Sequence, residues 1–265
     1  MPEPLTRSAT DYPVCAELLP SEPIRERRYE VRFARNASEL DELLRLRFEI
    51  FNLELEEGLE SSYETGRDED EFDPFCHHLI VTERASGRII GTYRLQTSAM
   101  AERHIGFYSD AEFDLSLFPE AVLADSVELG RACIAAEHRN TQVLFLLWKG
   151  LAQYMAVTDQ RYLFGCCSLT SQDPAEGWAV MELLERRGQV HPEIHTAPRP
   201  EFECRRDGPA FAGKVKVPKL FRIYLRHGAL VCGPPAIDRR FKTIDYLVIF
   251  DVATMSENQF RIFFG

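Results

Sequence analysis

The chain contains 265 residues, of which 45% are hydrophobic and 28% charged, a balance typical of a folded protein rather than a disordered one. Its net charge of −11 argues against general nucleic-acid binding, because contacts with phosphates need a basic surface. No run of the sequence approaches the ~20 apolar residues of a membrane-spanning helix, so any membrane contact is expected to be peripheral.

The basic residues are concentrated near the C-terminus. Residues 199–242 contain eleven Lys and Arg against four Asp and Glu, and the rest of the chain is acidic. Such a surface suits an anionic partner, either a phosphopantetheine carrier or a lipid membrane, but a solvated face without a partner fits the same residues. Seven cysteines without a repeating spacing, and a start without the apolar core of a signal peptide, predict reduced thiols in a cytoplasmic protein.

The first half of the chain predicts a strand, a helix and a hairpin. Residues 1–28, rich in Pro, Arg and Glu, predict a flexible arm, and residues 29–265 predict a single domain. Ser38 is expected to cap the first helix, along which apolar residues recur at helical spacing. The predicted elements are a strand at 29–34, an acidic loop at 54–73 and a hairpin formed by 78–83 and 88–97.

The second half alternates between strands and helices. Strands are predicted at 125–135, 162–168 and 243–252, and helices at 142–157, 174–187 and 219–226. The helix at 142–157 is apolar almost all round, so it should be buried. This order predicts the α+β class, with a mixed β-sheet flanked by helices.

The run Val127 to Ile134 carries the most informative charges. Glu128 and Arg131 should point to opposite faces of a strand, but a β-bulge at Gly130 would bring both to one face. Bulged strands are common beside active sites. The spacing fits a catalytic Glu–Arg pair in a cleft, and it also fits a structural ion pair between strands.

The residues just before the helix at 142–157 form a second candidate site. Arg139, Asn140 and Thr141 lead directly into that helix, whose first turn presents unpaired N–H groups and partial positive charge. This arrangement suits a phosphate, and Arg139 would add a bidentate donor. Many helices begin in this way, so the pattern alone is weak.

Charged residues ahead of this region need partners. Arg94 lies inside an apolar strand, and Asp70, Asp73 or Glu128 could pair with it. Arg47 shares a helical face with Phe51, which also fits an arginine extended over the core. The runs Cys76–His77–His78 and Cys166–Cys167 match no zinc spacing, so no metal is predicted.

Together these residues resemble the ornithine-lipid N-acyltransferases and, less closely, the acyl-homoserine-lactone synthases of the GNAT superfamily. The shared pattern occupies 47–51, 70–73, 91–94, 128–131 and 141–146, and the ornithine-lipid group adds 73–81, 163–166 and 224–245. The chain departs from the group at His77, where Asp is usual, and at Cys167. Residues 139–144 lack both glycines of the phosphate loop of acetyl-CoA-using members, which favours a longer acyl donor on acyl carrier protein.

The resemblance implies a GNAT-like fold and transfer of a (3-hydroxy)acyl chain to the α-amine of an amino acid, with ornithine expected, in lyso-ornithine lipid synthesis. Glu128 is the expected base and Arg131 its partner. The expected acceptor-binding residues are Arg47, Phe51, Asp70, Asp73 and Arg94. The arginines would orient the acceptor carboxylate or lock the acidic loop, and the two aspartates would order that loop or attract a second amine. The expected acyl-donor-binding residues are Cys133 and Ile134, through their backbone N–H groups, and Arg139, Asn140 and Thr141.

The resemblance implies no cofactor, since the acyl carrier protein or CoA thioester is a co-substrate. It also leaves open a peripheral association of this cytoplasmic protein with the membrane. Two other functions fit the same residues: synthesis of another N-acyl amino acid or an acyl-homoserine-lactone-like signal, and a catalytically silent module that binds acyl carrier protein. A retained base such as Glu128 argues against the silent module.

Overall fold

The computed structural model describes residues 12–257 and 260–261, and nine strands of this part form one mixed sheet. In chain order the strands are β1 (Ile24–Glu26), β2 (Tyr29–Phe33), β3 (His77–Glu83), β4 (Ile89–Thr97), β5 (Ser126–Ile134), β6 (Tyr162–Leu169), β7 (Leu230–Val231), β8 (Ala236–Asp238) and β9 (Thr243–Asp251). The sheet order is β1-β2-β3-β4-β5-β6-β9-β7, with β8 also paired to β9. Only β5 and β6 are parallel, and all other pairs are antiparallel.

Helices cover both faces of the sheet. They are α1 (Ala37–Phe48), α2 (Ser62–Thr65), α3 (Ser98–Arg103), α4 (Glu120–Ala124), α5 (Thr141–Thr158), α6 (Pro174–Arg186) and α7 (Lys219–Arg226). Helix α5 packs on one face, where Gly150 lets Leu79 approach its backbone closely. Helix α6 packs on the same face further along the sheet, where Gly177 leaves room for Ile244.

The strand register assigns the side chains to these two faces, because residues directly opposite each other point the same way. Tyr93 and Leu129 share the face of α5. Glu128 is opposite Gln96 and therefore points to the other face, which carries α1 and the segment between α3 and α4. The register continues this second face through β6 to Asp245 on β9.

Most predicted elements are confirmed to within a few residues, including the hairpin, β5, β6 and the four long helices. The prediction of a flexible arm is wrong for the part of it that the structure describes, because residues 24–26 form β1 against β2 and Leu19 is buried. The helix cap is Asn36, not Ser38, since the Asn36 side chain accepts from the Glu39 backbone N–H at 3.0 Å. Helix α5 is not buried all round: Phe145 and Val157 are exposed.

All seven cysteines are free thiols. Within the described residues, no helix is both long enough and apolar enough to cross a bilayer.

Candidate active site

The strand β5 contains the predicted bulge. Thr92 is in register with Cys133, and Arg94 with Gly130, so Arg131 and Ala132 together face the single residue between. The bulge is confirmed, but its special conformation falls one residue later than expected. Arg131, not Gly130, takes the left-handed backbone conformation, with a φ of 48°. A non-glycine residue in this region costs on the order of 1 kcal/mol or more, which the contacts of its side chain must offset.

A cavity of about 370 Å³ lies beside this bulge. The parallel strands β5 and β6 are paired only from Ser126 with Tyr162 to Glu128 with Phe164, and beyond these residues the ladder stops. The cavity is lined there by Leu129 to Ala132 on one side and by residues of β6 on the other. It therefore passes between two strands of the sheet and reaches both faces.

The two faces give the cavity an apolar branch and a polar chamber. The apolar branch, on the face of α5, is lined by aromatic and aliphatic side chains of β4, α5, α7 and β9: Tyr93, Trp148, Leu151, Met155, Phe221, Tyr224, Val248 and Phe250. The polar chamber, on the other face, is lined by Arg94, Gln96, Tyr108, Glu112, Glu128, Arg131, Asp238 and Asp245. This division suits a reaction between a hydrophobic chain and a charged small molecule.

Glu128 lies at the junction of the branch and the chamber and is 6% exposed. Its two carboxylate oxygens accept from the backbone N–H groups of Tyr108, at 2.8 Å, and Ser109, at 2.7 Å. Burial raises the pKa of Glu128, and the hydrogen bonds from Ser109 and Tyr108 oppose this effect. A carboxylate with a raised pKa is a stronger base, which suits proton abstraction.

Behind the chamber, Arg47 forms a fully buried ion-pair network. Its guanidinium donates to Asp73 at 2.6 and 3.2 Å and to Asp68 at 2.8 Å. Burial would raise the pKa of Asp73, but Arg47 and Arg94 outweigh burial and hold the pKa well below its ordinary value. The network ties α1 to the acidic loop.

The same loop holds the two arginines that line the chamber. Arg94 donates to Asp70 at 2.6 Å and to Asp73 at 3.1 Å, which confirms the predicted partners. Arg131 donates to Asp70 at 3.2 Å, and its guanidinium stacks over the rings of Tyr108 and Phe241. These contacts fix the guanidinium groups and hold the strained backbone of the bulge.

The expected acceptor-binding residues therefore divide into two groups. Arg94 and Phe51 line the cavity, as Arg131 does. Arg47, Asp70 and Asp73 do not line it, so the structure favours the alternative role of locking the acidic loop, and their direct contact with an acceptor stays a prediction. Their charges neutralise one another, and they position the chamber arginines by locking the acidic loop.

The expected donor-binding residues lie outside the cavity wall. Cys133 and Ile134 do not line the cavity, because the bulge places the backbone of Arg131 and Ala132 there instead. The donor role of the Cys133 and Ile134 N–H groups therefore stays a prediction.

Arg139 and its neighbours stabilise the start of α5. Arg139 donates to the carbonyl of Ile134 at 2.8 Å and forms a bidentate ion pair with Glu54. The Asn140 side chain caps α5 by accepting from the Val143 N–H at 3.0 Å, and Thr141 is the first residue of the helix. A phosphate could reach Arg139 only by displacing Glu54, so the donor role of these residues stays a prediction.

Several residues of the cavity were assigned no role from the sequence. Tyr93 and Tyr224, joined by a hydrogen bond between their hydroxyls, line the apolar branch. The carboxyls of Glu112, Asp238 and Asp245 gather in the polar chamber. Asp245 belonged to a matched motif, but nothing in that motif indicated a role.

Comparison with known proteins shows the family to which the chain belongs. A family model described as a GNAT acetyltransferase domain matches residues 46–149. An L-ornithine N(alpha)-acyltransferase of Rhodobacter capsulatus is 32% identical over 240 residues, which cover 86% of this chain and 92% of that protein. An L-ornithine N(alpha)-acyltransferase of Rhizobium meliloti is 32% identical over 242 residues, which cover 86% of this chain and 81% of that protein. The crystal structure of the AHL synthase LasI is 13% identical with a TM-score of 0.49, covering 89% of this chain and 95% of that one.

The fold and the two-branched cavity define an N-acyltransferase of the GNAT type. At this identity and coverage, the chain belongs to the family of L-ornithine N(alpha)-acyltransferases.

Proposed function

We propose that the protein transfers a 3-hydroxyacyl chain from acyl carrier protein to the α-amine of ornithine, forming the lyso-ornithine lipid. The observation that carries this proposal is the cavity, in which the apolar branch meets the polar chamber at Glu128. The branch is suited to the acyl chain and the chamber to the amino acid. The names of the relatives support ornithine as the acceptor.

The proposed reaction is direct transfer. The α-amine of a free amino acid is largely protonated at pH 7, and Glu128 removes a proton from it directly or through a water molecule. The amine nitrogen then attacks the thioester carbonyl, the carbon–sulfur bond breaks and the thiolate leaves, and the new amide nitrogen releases its remaining extra proton to solvent. The reaction uses the thioester as co-substrate and no resident cofactor.

Groups at the bulge and in the branch complete the proposed mechanism. Arg131 and Ala132 line the cavity, and in the proposed mechanism the backbone N–H groups around them polarise the thioester carbonyl. The hydrogen-bonded hydroxyls of Tyr93 and Tyr224 offer a proton to the departing thiolate. On the chamber side, Arg94 and Arg131 face the space where the acceptor carboxylate would lie.

Helix α7 supports acyl carrier protein as the donor. Lys219, Arg222 and Arg226 recur at helical spacing on its exposed face, and none forms an ion pair with a carboxylate among residues 12–257 and 260–261. The inner face of the same helix places Phe221 and Tyr224 in the wall of the apolar branch. A carrier docked on this basic face would therefore lie directly beside the cavity.

The test of the reaction is incubation of the purified protein with a 3-hydroxyacyl carrier thioester, or with the matching CoA thioester, and a panel of amino acids. Mass spectrometry should detect N-acylornithine, formed faster from the carrier thioester. Product from a different amino acid would identify another N-acyl amino acid synthase, and no product from any amine would favour a carrier-binding module.

The test of the docking face is charge reversal of Arg222 and Arg226 to Glu. We expect the KM for the carrier thioester to rise, with little change for a short pantetheine thioester. The matched control is Arg88→Glu, which reverses an exposed charge in the β3–β4 turn, away from the cavity. Equal losses with both donors would refute the docking proposal.

A further inference from the structure

We propose that Glu112, Asp238 and Asp245 form a pocket for a side-chain ammonium group of the acceptor, so that the enzyme selects amino acids with a second amine. The inference rests on the proposed function, because it concerns the acceptor of that reaction. It assigns the choice of acceptor to residues that play no part in the acyl transfer itself.

The three carboxyls converge on one point. Each offers an oxygen atom within 4.8 Å of the others, and all three side chains are almost fully buried. Asp238 lies on β8 and Asp245 on β9, both on the face of the sheet that carries Glu128. Glu112 reaches the same point from the segment between α3 and α4.

These carboxyls lack a positive partner. No Lys, Arg or His side chain in the described part of the chain lies within ion-pair distance of them. One oxygen of Glu112 and one of Asp245 accept from no N–H or hydroxyl group, and the two carboxyls hydrogen-bond to each other through a proton. Burial, followed by repulsion from Asp245 and Asp238, raises the pKa of Glu112 to about 10. The group thus retains a proton in place of the missing cation.

An ammonium group fits this arrangement. It has three N–H donors and no acceptor, and the three carboxyls offer it acceptors on converging sides. Uncompensated buried carboxylates are costly, and a bound cation would remove that cost. Asp70 and Asp73, which the sequence offered for a second amine, are already neutralised by arginines.

An independent feature of the chamber also indicates a polar ligand. Gln96 is 1% exposed and lines the cavity, yet neither atom of its amide has a hydrogen-bond partner in the structure. It lies directly opposite Glu128 in the register of β4 and β5. An unpaired buried amide is destabilising, and a ligand in the chamber would satisfy it.

The pocket is close to the proposed base. Glu128 accepts from the N–H of Ser109 at 2.7 Å, the Ser109 hydroxyl lies 3.6 Å from the thiol of Cys166, and that thiol lies 3.6 Å from Glu112. Two side chains therefore separate Glu128 from the pocket. A diamino acid with a short aliphatic chain would place one amine at Glu128 and the other in the pocket.

The experiment compares ornithine with norvaline, which differs only in lacking the terminal amine. Calorimetry and steady-state kinetics should show that the wild-type protein prefers ornithine by at least ~10², because a site built for a polar group rejects an analogue without it. In Glu112→Gln and Asp245→Asn this preference should fall by roughly 10–100-fold. The preference is the ratio of kcat/KM for the two acceptors within one protein, so a general loss of activity in either variant cancels from it.

The matched control is Glu201→Gln, which removes an exposed carboxylate outside the cavity and should keep the full preference. Glu112→Gln reproduces the shape of the protonated side chain, so its Tm should not fall. Equal handling of the two acceptors by the wild-type protein would refute the pocket and leave the proposed function standing. Tighter binding of ornithine without any acylation would refute the proposed function and support the pocket.

A divalent cation is the competing occupant, since carboxylates also bind Mg²⁺ and Ca²⁺. Titration of either metal alone into the wild-type protein and into Glu112→Gln distinguishes the two. Metal binding that the substitution abolishes would overturn the ammonium pocket, and its absence from both proteins supports it.

Discussion

The network behind the chamber should be essential for stability, and Asp73→Asn tests this most sharply. Both oxygens of Asp73 are used: one accepts from Arg47 at 2.6 Å and Arg94 at 3.1 Å, the other from Arg47 at 3.2 Å and the Asp70 N–H at 2.9 Å. The substitution by asparagine removes the negative charge and replaces one carboxylate oxygen by an NH2 group, which faces the N–H donors that this oxygen accepted from. Two buried arginines then lose a counter-charge.

Breaking a buried ion pair by removing one partner typically costs about 3–5 kcal/mol. For a chain of this size, each kcal/mol lowers the Tm by about 2–4 °C, so the Tm should fall by about 6–20 °C. Urea titration and calorimetry at pH 7.5 would measure both quantities. The matched control is Asp41→Asn, which breaks a half-exposed pair with Arg45 and should cost at most ~1 kcal/mol. If Asp73→Asn loses no more unfolding free energy than this control, the buried network is not essential for stability.

Three further predictions follow from the same contacts. Glu128→Gln should lower kcat by at least ~10² without a matching change in the KM for the acceptor, and near-normal turnover would exclude Glu128 as the base. The pKa of Asp73 is lowered in the folded protein, so the stability that Asp73 contributes is complete above its ordinary pKa of ~3.9 and is lost as the pH falls below that value. Urea titrations from pH 6 to pH 3 should therefore show a steeper loss of unfolding free energy in the wild type than in Asp73→Asn. Leu151→Trp should fill the apolar branch, so that long acyl donors lose activity while short ones keep it; an equal loss across chain lengths would show that the branch does not hold the chain.

Local patterns predicted most of the fold. Alternation and helical spacing located the long strands and helices, and Gly130 correctly indicated a bulge in β5. The errors arose where local sequence offers equal choices. Asn36 and Ser38 are both good cap residues, and only the entry of the chain from β2 selects Asn36.

The candidate site was predictable where a residue contradicted its surroundings. Arg94, a charge inside an apolar strand, required buried acids, and Asp70 and Asp73 supply them. The Glu54–Arg139 pair was not predictable, since it joins residues far apart in the chain without a local pattern.

The acidic pocket shows the same limit. Glu112 looks like an ordinary solvated acid in the sequence. Asp245, a charge inside an apolar strand, indicated burial but not its neighbours, because only the sheet register and a long connection bring the two together. Isolated carboxylates carry no signal about a partner when that partner is a ligand and not another part of the chain.

In the proposed complex, the cavity holds ornithine with its α-amine at Glu128 and its side-chain amine in the pocket formed by Glu112, Asp238 and Asp245. The most direct measurement is the position of the acyl group in the product, determined by tandem mass spectrometry after incubation of the purified protein with ornithine and a 3-hydroxyacyl carrier thioester. We expect acylation of the α-amine, with the side-chain amine left free. Acylation of the side-chain amine, or of both amines equally, would contradict it.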